Sequence, residues 1–210
     1  MPTHWDKIYK SYQHGGEAYA SLSHEILPAF IKFISNSNFS VHSVLDIGIG
    51  DGKYLKFLKA NNFKITGIDN SEIAIRMCRR KLGTTVKIIL ADMYHYRIPR
   101  SNYDLIISIA TLQHGFKKQI EKLVTRIYSG LVKGGKIFIT LPRAELKNKR
   151  QVMKSHRELV PGTITPITGP EAGLPHSIYK RIEIKKLFYR FHNLSIKQGR
   201  YQCWNVVAEK

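Results

Sequence analysis

The sequence predicts an α/β fold built on a doubly wound, mostly parallel sheet, and three observations carry that prediction. Short apolar runs alternate with segments of helical period from Ser43 to Leu141. In Asp46-Ile47-Gly48-Ile49-Gly50-Asp51-Gly52, glycines stand at alternate positions between an apolar run and a helical pattern, which describes a buried strand turning sharply into a helix. Asp46, Asp69 and Asp92 fall at or just after the ends of three successive runs. Open sheets of this kind bind ligands beyond the carboxyl ends of their strands, so the glycine turn marks the expected site.

The elements follow in order. His4 to Gly16 mixes aromatic and polar residues and stops at Gly15-Gly16; it reads either as a surface arm or as a cap over a site, with Trp5, Tyr12 and His14 reaching the mouth in the second case. Leu22, Ile26, Ala29, Phe30 and Phe33 recur at helical spacing, which predicts a helix from about Leu22 to Ser35 despite Pro28. Ser43–Ile47 is the first strand, Lys53–Ala60 a helix presenting Leu55 and Leu58, and Lys64–Ile68 the second strand. Asn70 or Ser71 can cap the next helix, whose inner side takes Ile73, Met77 and Leu82. Val86–Leu90 and Asp104–Ile109 are the third and fourth strands, the latter a continuous apolar run suited to cover on both faces. Ile120, Leu123, Val124, Ile127 and Leu131 mark the strongest amphipathic helix, and Ile137–Leu141 the fifth strand.

After Pro142 the pattern changes. Arg143–Arg157 is basic and expected to be helical, and Val160–Pro175, rich in Pro, Gly and Thr, is expected to be an irregular loop. A helix from about Ser177 places Ile178, Ile182, Leu187 and Phe191 inward, and Leu194–Ile196 and Trp204–Ala208 close the chain as a hairpin. The sum is a Rossmann-like, seven-stranded sheet with an antiparallel closing hairpin. All 210 residues are expected to form one domain: an arm and helix over 1–35, a ligand-binding core over 41–141, a basic segment and substrate loop over 143–176, and a closing helix and hairpin over 177–210.

Composition narrows the function classes. A hydrophobic fraction of 43% fits a globular core, and no apolar run approaches the roughly 18 residues of a membrane span. The first residues have no apolar stretch of the signal-peptide type, and Cys78 and Cys203 are too few for a disulfide framework or a cysteine zinc site, so a cytoplasmic protein without a metal is expected. Against 15 acidic residues stand 34 Lys and Arg, a formal charge of +19 that draws in polyanions such as RNA. These cations are spread along the whole chain, as a composition-wide habit would also leave them.

Acids at Asp46 and Asp51 around the turn suit a cationic nucleoside better than a diphosphate. With Asp69 and Asp92, with Tyr103-Asp104-Leu105-Ile106-Ile107-Ser108, and with Leu131-Val132-Lys133-Gly134-Gly135-Lys136 before the fifth strand, the segment from about Val41 to Leu141 resembles the class I S-adenosylmethionine-dependent methyltransferases. The resemblance implies S-adenosyl-L-methionine as cofactor. It implies Asp46, Gly48, Gly50 and Gly52 around the methionine moiety, Asp69 with neighbouring Asn70 at the ribose, and Asp92 with Met93 at the adenine. Ala110 to His114 then lies beside the cofactor and faces the acceptor, with Gln113, His114 and Tyr12 as substrate contacts. His114 and His176 are the candidate catalytic residues.

Two acceptors compete. Lids formed by the arm and by the loop before His176 suit a small molecule, as in uncharacterised bacterial and archaeal members of the family. The charge, and a distant similarity of Gln202–Lys210 and Ile107–Ala110 to the tRNA wobble-uridine carboxymethyl methyltransferases, suit RNA. A non-catalytic cofactor-binding partner subunit is the third reading.

Overall fold

A computed structural model of the chain describes residues 2–16, 25–37, 43–145 and 155–210. Its main sheet has seven strands: β1 (Ser43–Ile47), β2 (Lys64–Asp69), β3 (Lys87–Leu90), β4 (Tyr103–Ser108), β5 (Leu131–Pro142), β9 (His192–Gln198) and β10 (Cys203–Glu209). The order across the sheet is β3-β2-β1-β4-β5-β10-β9. The first five are parallel, and β10 runs antiparallel to both β5 and β9. Strand order reverses between β1 and β4, which opens a crevice at their carboxyl ends, the place where such sheets take a ligand.

Alternation along the strands divides the core in two. On one face Leu45, Ile47 and Ile106 pack with Ile120, Leu123 and Ile127 of α5 (Lys117–Gly130) and with Ile184 of α6 (Arg181–Leu187). On the other, Val44, Leu105, Ile107 and Phe138 meet α2 (Pro28–Ser35), α3 (Lys53–Ala60) and α4 (Glu72–Leu82) through Phe30, Leu55, Leu58 and Ile75. Each such side chain is fully or nearly fully buried, worth about 1.5–3 kcal/mol apiece. Both faces being covered explains why β4 reads as an unbroken apolar run.

Four expectations from the sequence are corrected. The helix expected from Leu22 begins at Pro28, where proline's fixed φ and missing N–H suit the first helical turn; Ile26 lies outside it, and Leu22 lies outside the described residues. The helix expected over Arg143–Arg157 is contradicted at both ends. Arg143 bridges Tyr179, and His156 and Arg157 open a strand, while 146–154 lie outside the described residues. The loop expected over Val160–Pro175 is irregular only from residue 167 on: its first part belongs to a second sheet of β6 (His156–Val160), β7 (Thr163–Pro166) and β8 (His176–Ser177), turned at Pro161-Gly162 with Gly162 at φ +76°. That proline-glycine pair between β-branched residues is a hairpin signal. The last helix begins at Arg181 rather than Ser177, and its buried side is Ile184 and Phe188, so Ile182 points to solvent.

Before the main sheet comes α1 (His4–Gln13), with Thr3 as its cap. The small sheet docks through Ser177, whose N–H donates to Gln113 O (2.9 Å) and whose hydroxyl donates to Gly115 O (2.7 Å). That docking carries the segment between β7 and β8 to the end of β4.

Candidate active site at the ends of the parallel strands

A cavity of about 390 Å³ opens where β1, β2 and β4 end. Gly48 turns away from β1 at φ +83°, and a Cβ there would stand 2.2 Å from the Thr111 hydroxyl. Gly50, at φ +54°, leaves room for the Tyr9 hydroxyl, 2.8 Å from where its Cβ would be. Gly52 is also left-handed, but its missing Cβ makes room for Cys78 of α4. Its role is packing, and it contributes nothing to the cavity wall.

Asp69 ends β2 and accepts N–H bonds from Gly50 (3.0 Å) and Ser71 (2.9 Å). Burial raises its carboxyl to about 6 in spite of these donors. Ser71 caps α4, accepting from Ala74 N–H, which leaves Asn70 free to face the cavity. Asp92 and Met93 form the far wall, and Asp92 accepts from Tyr94 N–H at 2.6 Å. Asp46 shares the face of Val44, opposite Ile47, and lies buried behind the wall; burial, then the charge of Asp69, hold its carboxyl well above the usual range. The glycine turn thus supplies Gly48 and Gly50 to the site, while Asp46 and Gly52 support it from behind.

Helix α1 covers the crevice with Trp5, Tyr9 and Tyr12, so the amino-terminal segment is the cap of the two alternatives. Asp6 fastens it: its carboxylate accepts from Ser71 Oγ (2.7 Å) and Ile73 N–H (3.3 Å). Burial alone would raise Asp6, and these bonds with those from Thr3 outweigh it, leaving the group below its ordinary value. Tyr12 donates to Asp51 (3.2 Å), which also pairs with Lys81 (2.7 Å), and His4 meets Pro170 O at 3.0 Å. His14 is exposed and takes no part in the wall.

Beyond β4 the chain turns through Ala110 at φ +55°, a left-handed conformation that a non-glycine residue holds only under tertiary constraint. Thr140 supplies one, accepting from Ala110 N–H at 2.8 Å. Ala110, Thr111, Gln113 and His114 all line the cavity. His114 Nε2 meets Ala110 O at 3.2 Å, and its ring stands 4.7 Å from Trp5 and 4.6 Å from His176. Burial lowers His114 to about 4, so it is neutral near pH 7. His176 is set behind His114 rather than on the wall, with Nδ1 at Leu174 O (3.1 Å) and Nε2 at Glu171 Oε2 (2.7 Å). Glu171 is on the wall; burial would raise it, and the His176 bond with nearby histidine charge brings it below its ordinary value. Two buried polar atoms here, Gln113 Oε1 and His114 Nδ1, have no hydrogen-bond partner among the described residues.

Sequence reasoning passed over Tyr9 and Glu171. Tyr9 shares a face with Trp5 and Tyr12 at helical spacing, a signal that was present. Glu171, five residues before His176, carried no signal beyond being an acid in a Pro- and Gly-rich segment.

Comparison with known proteins agrees with this geometry. A family described as a methyltransferase domain matches residues 44–135. The carboxy-S-adenosyl-L-methionine synthase of Nautilia profundicola is 30% identical over 125 residues, covering 57% of this chain and 52% of the relative. An uncharacterised methyltransferase of a Geobacillus species is 27% identical over 128 residues, 60% of each chain. The chain thus spans about half to three fifths of these relatives' length. Among solved structures, a Methanosarcina mazei S-adenosylmethionine-dependent methyltransferase superposes with a TM-score of 0.71 at 19% identity, over 89% of this chain and 98% of its own. The Burkholderia thailandensis 1,6-didemethyltoxoflavin-N1-methyltransferase, solved with its acceptor and S-adenosylhomocysteine, gives 0.68 at 13%, over 100% and 90%. The residues present fit that cofactor type: two wall carboxylates to take hydroxyl and amine donors, a glycine turn open to close approach, and acids suited to a sulfonium. The chain therefore carries a methyltransferase domain over residues 44–135, within the fold of the S-adenosylmethionine-dependent methyltransferases, and its cavity fits S-adenosyl-L-methionine as the cofactor.

Proposed function

We propose that this chain transfers the methyl group of S-adenosyl-L-methionine to an N, O or S nucleophile of a small molecule. The observation that carries this reading is the partly covered cavity: α1 lays Trp5, Tyr9 and Tyr12 over it, and about 390 Å³ is at the small end of small-ligand sites. Its charge supports the same reading. Among the described residues its wall holds four acids, Asp51, Asp69, Asp92 and Glu171, against Lys53 and Arg200, the reverse of the whole-chain balance. A phosphate backbone would meet the wrong sign at that mouth. The Burkholderia neighbour is a methyltransferase of a small molecule, 1,6-didemethyltoxoflavin.

In this reading Asp69 accepts the ribose hydroxyls, with Asn70 beside it, and Asp92 with the Met93 backbone takes the adenine. Gly48, Gly50 and Ala110 bring backbone close to the methionine end. The cofactor supplies an electrophilic methyl on a sulfonium, so the chain's task is in-line alignment, exclusion of water and activation of the acceptor. Alignment falls to Thr111, Gln113 and Tyr12, exclusion to α1, and activation to the cluster of His114, Glu171 and His176.

The test is transfer from methyl-labelled cofactor in the presence of both a small-molecule extract and bulk tRNA. Label is expected in the small-molecule fraction and to fall at least tenfold with His114→Ala. Label confined to tRNA would replace this reading with the RNA one.

A further inference from the structure

We propose that His114, Glu171 and His176 form a binding site for one divalent first-row transition ion, placed to activate the methyl acceptor; this role rests on the function proposed above. One ring nitrogen of each histidine and one Glu171 carboxylate oxygen lie within 4.8 Å of one another. Hydrogen bonding decides which nitrogens these are. A backbone carbonyl can only accept, which places the His114 proton on Nε2, toward Ala110 O at 3.2 Å, and the His176 proton on Nδ1, toward Leu174 O at 3.1 Å; the Gln113 amide, 3.3 Å from His114 Nε2, then turns its oxygen rather than its nitrogen to that proton. The lone pairs then fall on His114 Nδ1 and His176 Nε2.

Each of those atoms is in a state that a cation resolves. His114 Nδ1 is buried, in a residue only 8% exposed, and has no hydrogen-bond partner among the described residues. His176 Nε2 and Glu171 Oε2 stand 2.7 Å apart, a contact between two electron-rich atoms that needs either a proton or a cation between them. A metal-ligating imidazole characteristically donates its other N–H to a carbonyl or carboxylate, and both rings here already do so. Bonds of about 2.0–2.2 Å place adjacent ligands roughly 3 Å apart, so the His176–Glu171 pair is close to that spacing and the His114 ring has to move inward. Two imidazoles and one carboxylate suit zinc, iron, manganese or cobalt rather than calcium or magnesium, and three protein ligands leave positions open.

The open positions matter because His114 and Glu171 are on the cavity wall while His176 is behind them. An acceptor hydroxyl reaching the ion loses its proton to solvent. Its oxygen lone pair forms the bond to the methyl carbon, and the carbon–sulfur pair returns to sulfur as the sulfonium becomes a neutral thioether. The order in which the site is assembled also fits: β8 docks on Gln113 and Gly115 through Ser177, so the small sheet brings two ligands to the third.

Chelator-treated full-length protein titrated with cobalt(II), read by its visible absorption and by zinc competition, tests the site. One ion per chain is expected, and affinity should fall at least tenfold in Glu171→Gln and in His176→Ala but stay within twofold in His95→Ala, an exposed histidine outside the cluster. If His176→Ala unfolds, His176→Gln and Glu171→Gln carry the comparison, with thermal unfolding as the check on folding. Absence of binding, or equal affinity in the cluster variants, overturns the site. S-adenosylhomocysteine binding by the same wild-type protein, measured separately, distinguishes the two ideas. Retained cofactor binding without an ion overturns the ion site alone, whereas lost cofactor binding overturns the function on which its role rests.

Discussion

Asp69 faces opposed demands on its proton. Burial raises its carboxyl from 3.8 to about 6, against N–H donors that favour the anion. A carboxyl raised in the folded state binds its proton more tightly folded than unfolded. Its contribution to stability is therefore fully present below 3.8 and lost as pH rises through about 6. Cofactor binding runs the other way, because ribose hydroxyls need the ionised acceptor. Affinity for S-adenosylhomocysteine should weaken about tenfold between pH 7.5 and pH 5, where roughly one carboxyl in ten of this kind is ionised; a flat calorimetric profile would remove Asp69 from the ribose. Gly48→Ala should cost about 2 kcal/mol or more, since a Cβ at φ +83° would collide with Thr111. Thermal unfolding should show it as a fall on the order of 4–8 °C. At this scale the sequence was readable wherever a strand's end set the position, as at Asp69, Asp92 and Gly48. Asp46 lies behind the wall, because strand alternation turns it to the opposite face from Ile47, and Gly52 packs on Cys78, a neighbour distant in sequence.

Among the elements, α1 is the one whose function depends on its fastening. Its hold on α4 is the Asp6 carboxylate, buried against Ser71 and Ile73. Asp6→Ala leaves those donors unsatisfied, at a cost of about 1–3 kcal/mol, and should speed release of S-adenosylhomocysteine several-fold in a stopped-flow experiment. An unchanged release rate would mean that α1 is not the lid. The period of Trp5, Tyr9 and Tyr12 made this helix readable, whereas its target was not, because Asp6 meets Ser71 across 65 positions of sequence. The same holds for the small sheet. Proline and glycine at 161–162 announce a turn, but what draws His176 to His114 is the bonding of Ser177 to Gln113 and Gly115, which no local pattern encodes.

Across the whole molecule, charge and site have opposite signs. The chain carries +19, yet among the described residues the cavity is lined by more acids than bases. Binding of bulk tRNA should therefore be weak, salt-sensitive and remote from the site, leaving the affinity for S-adenosylhomocysteine within twofold; strong competition would put RNA at the mouth. A mostly parallel sheet of seven strands with a closing hairpin was readable because alternating strand and helix patterns leave few topologies, whereas the reversal between β1 and β4, which fixes where a ligand sits, is seen in the structure. That the cavity at this reversal holds S-adenosyl-L-methionine through Asp69 is tested most directly by calorimetry with S-adenosylhomocysteine on the wild type and Asp69→Ala. One site per chain is predicted, with affinity at least tenfold weaker in the variant; equal affinity in the two proteins would contradict it.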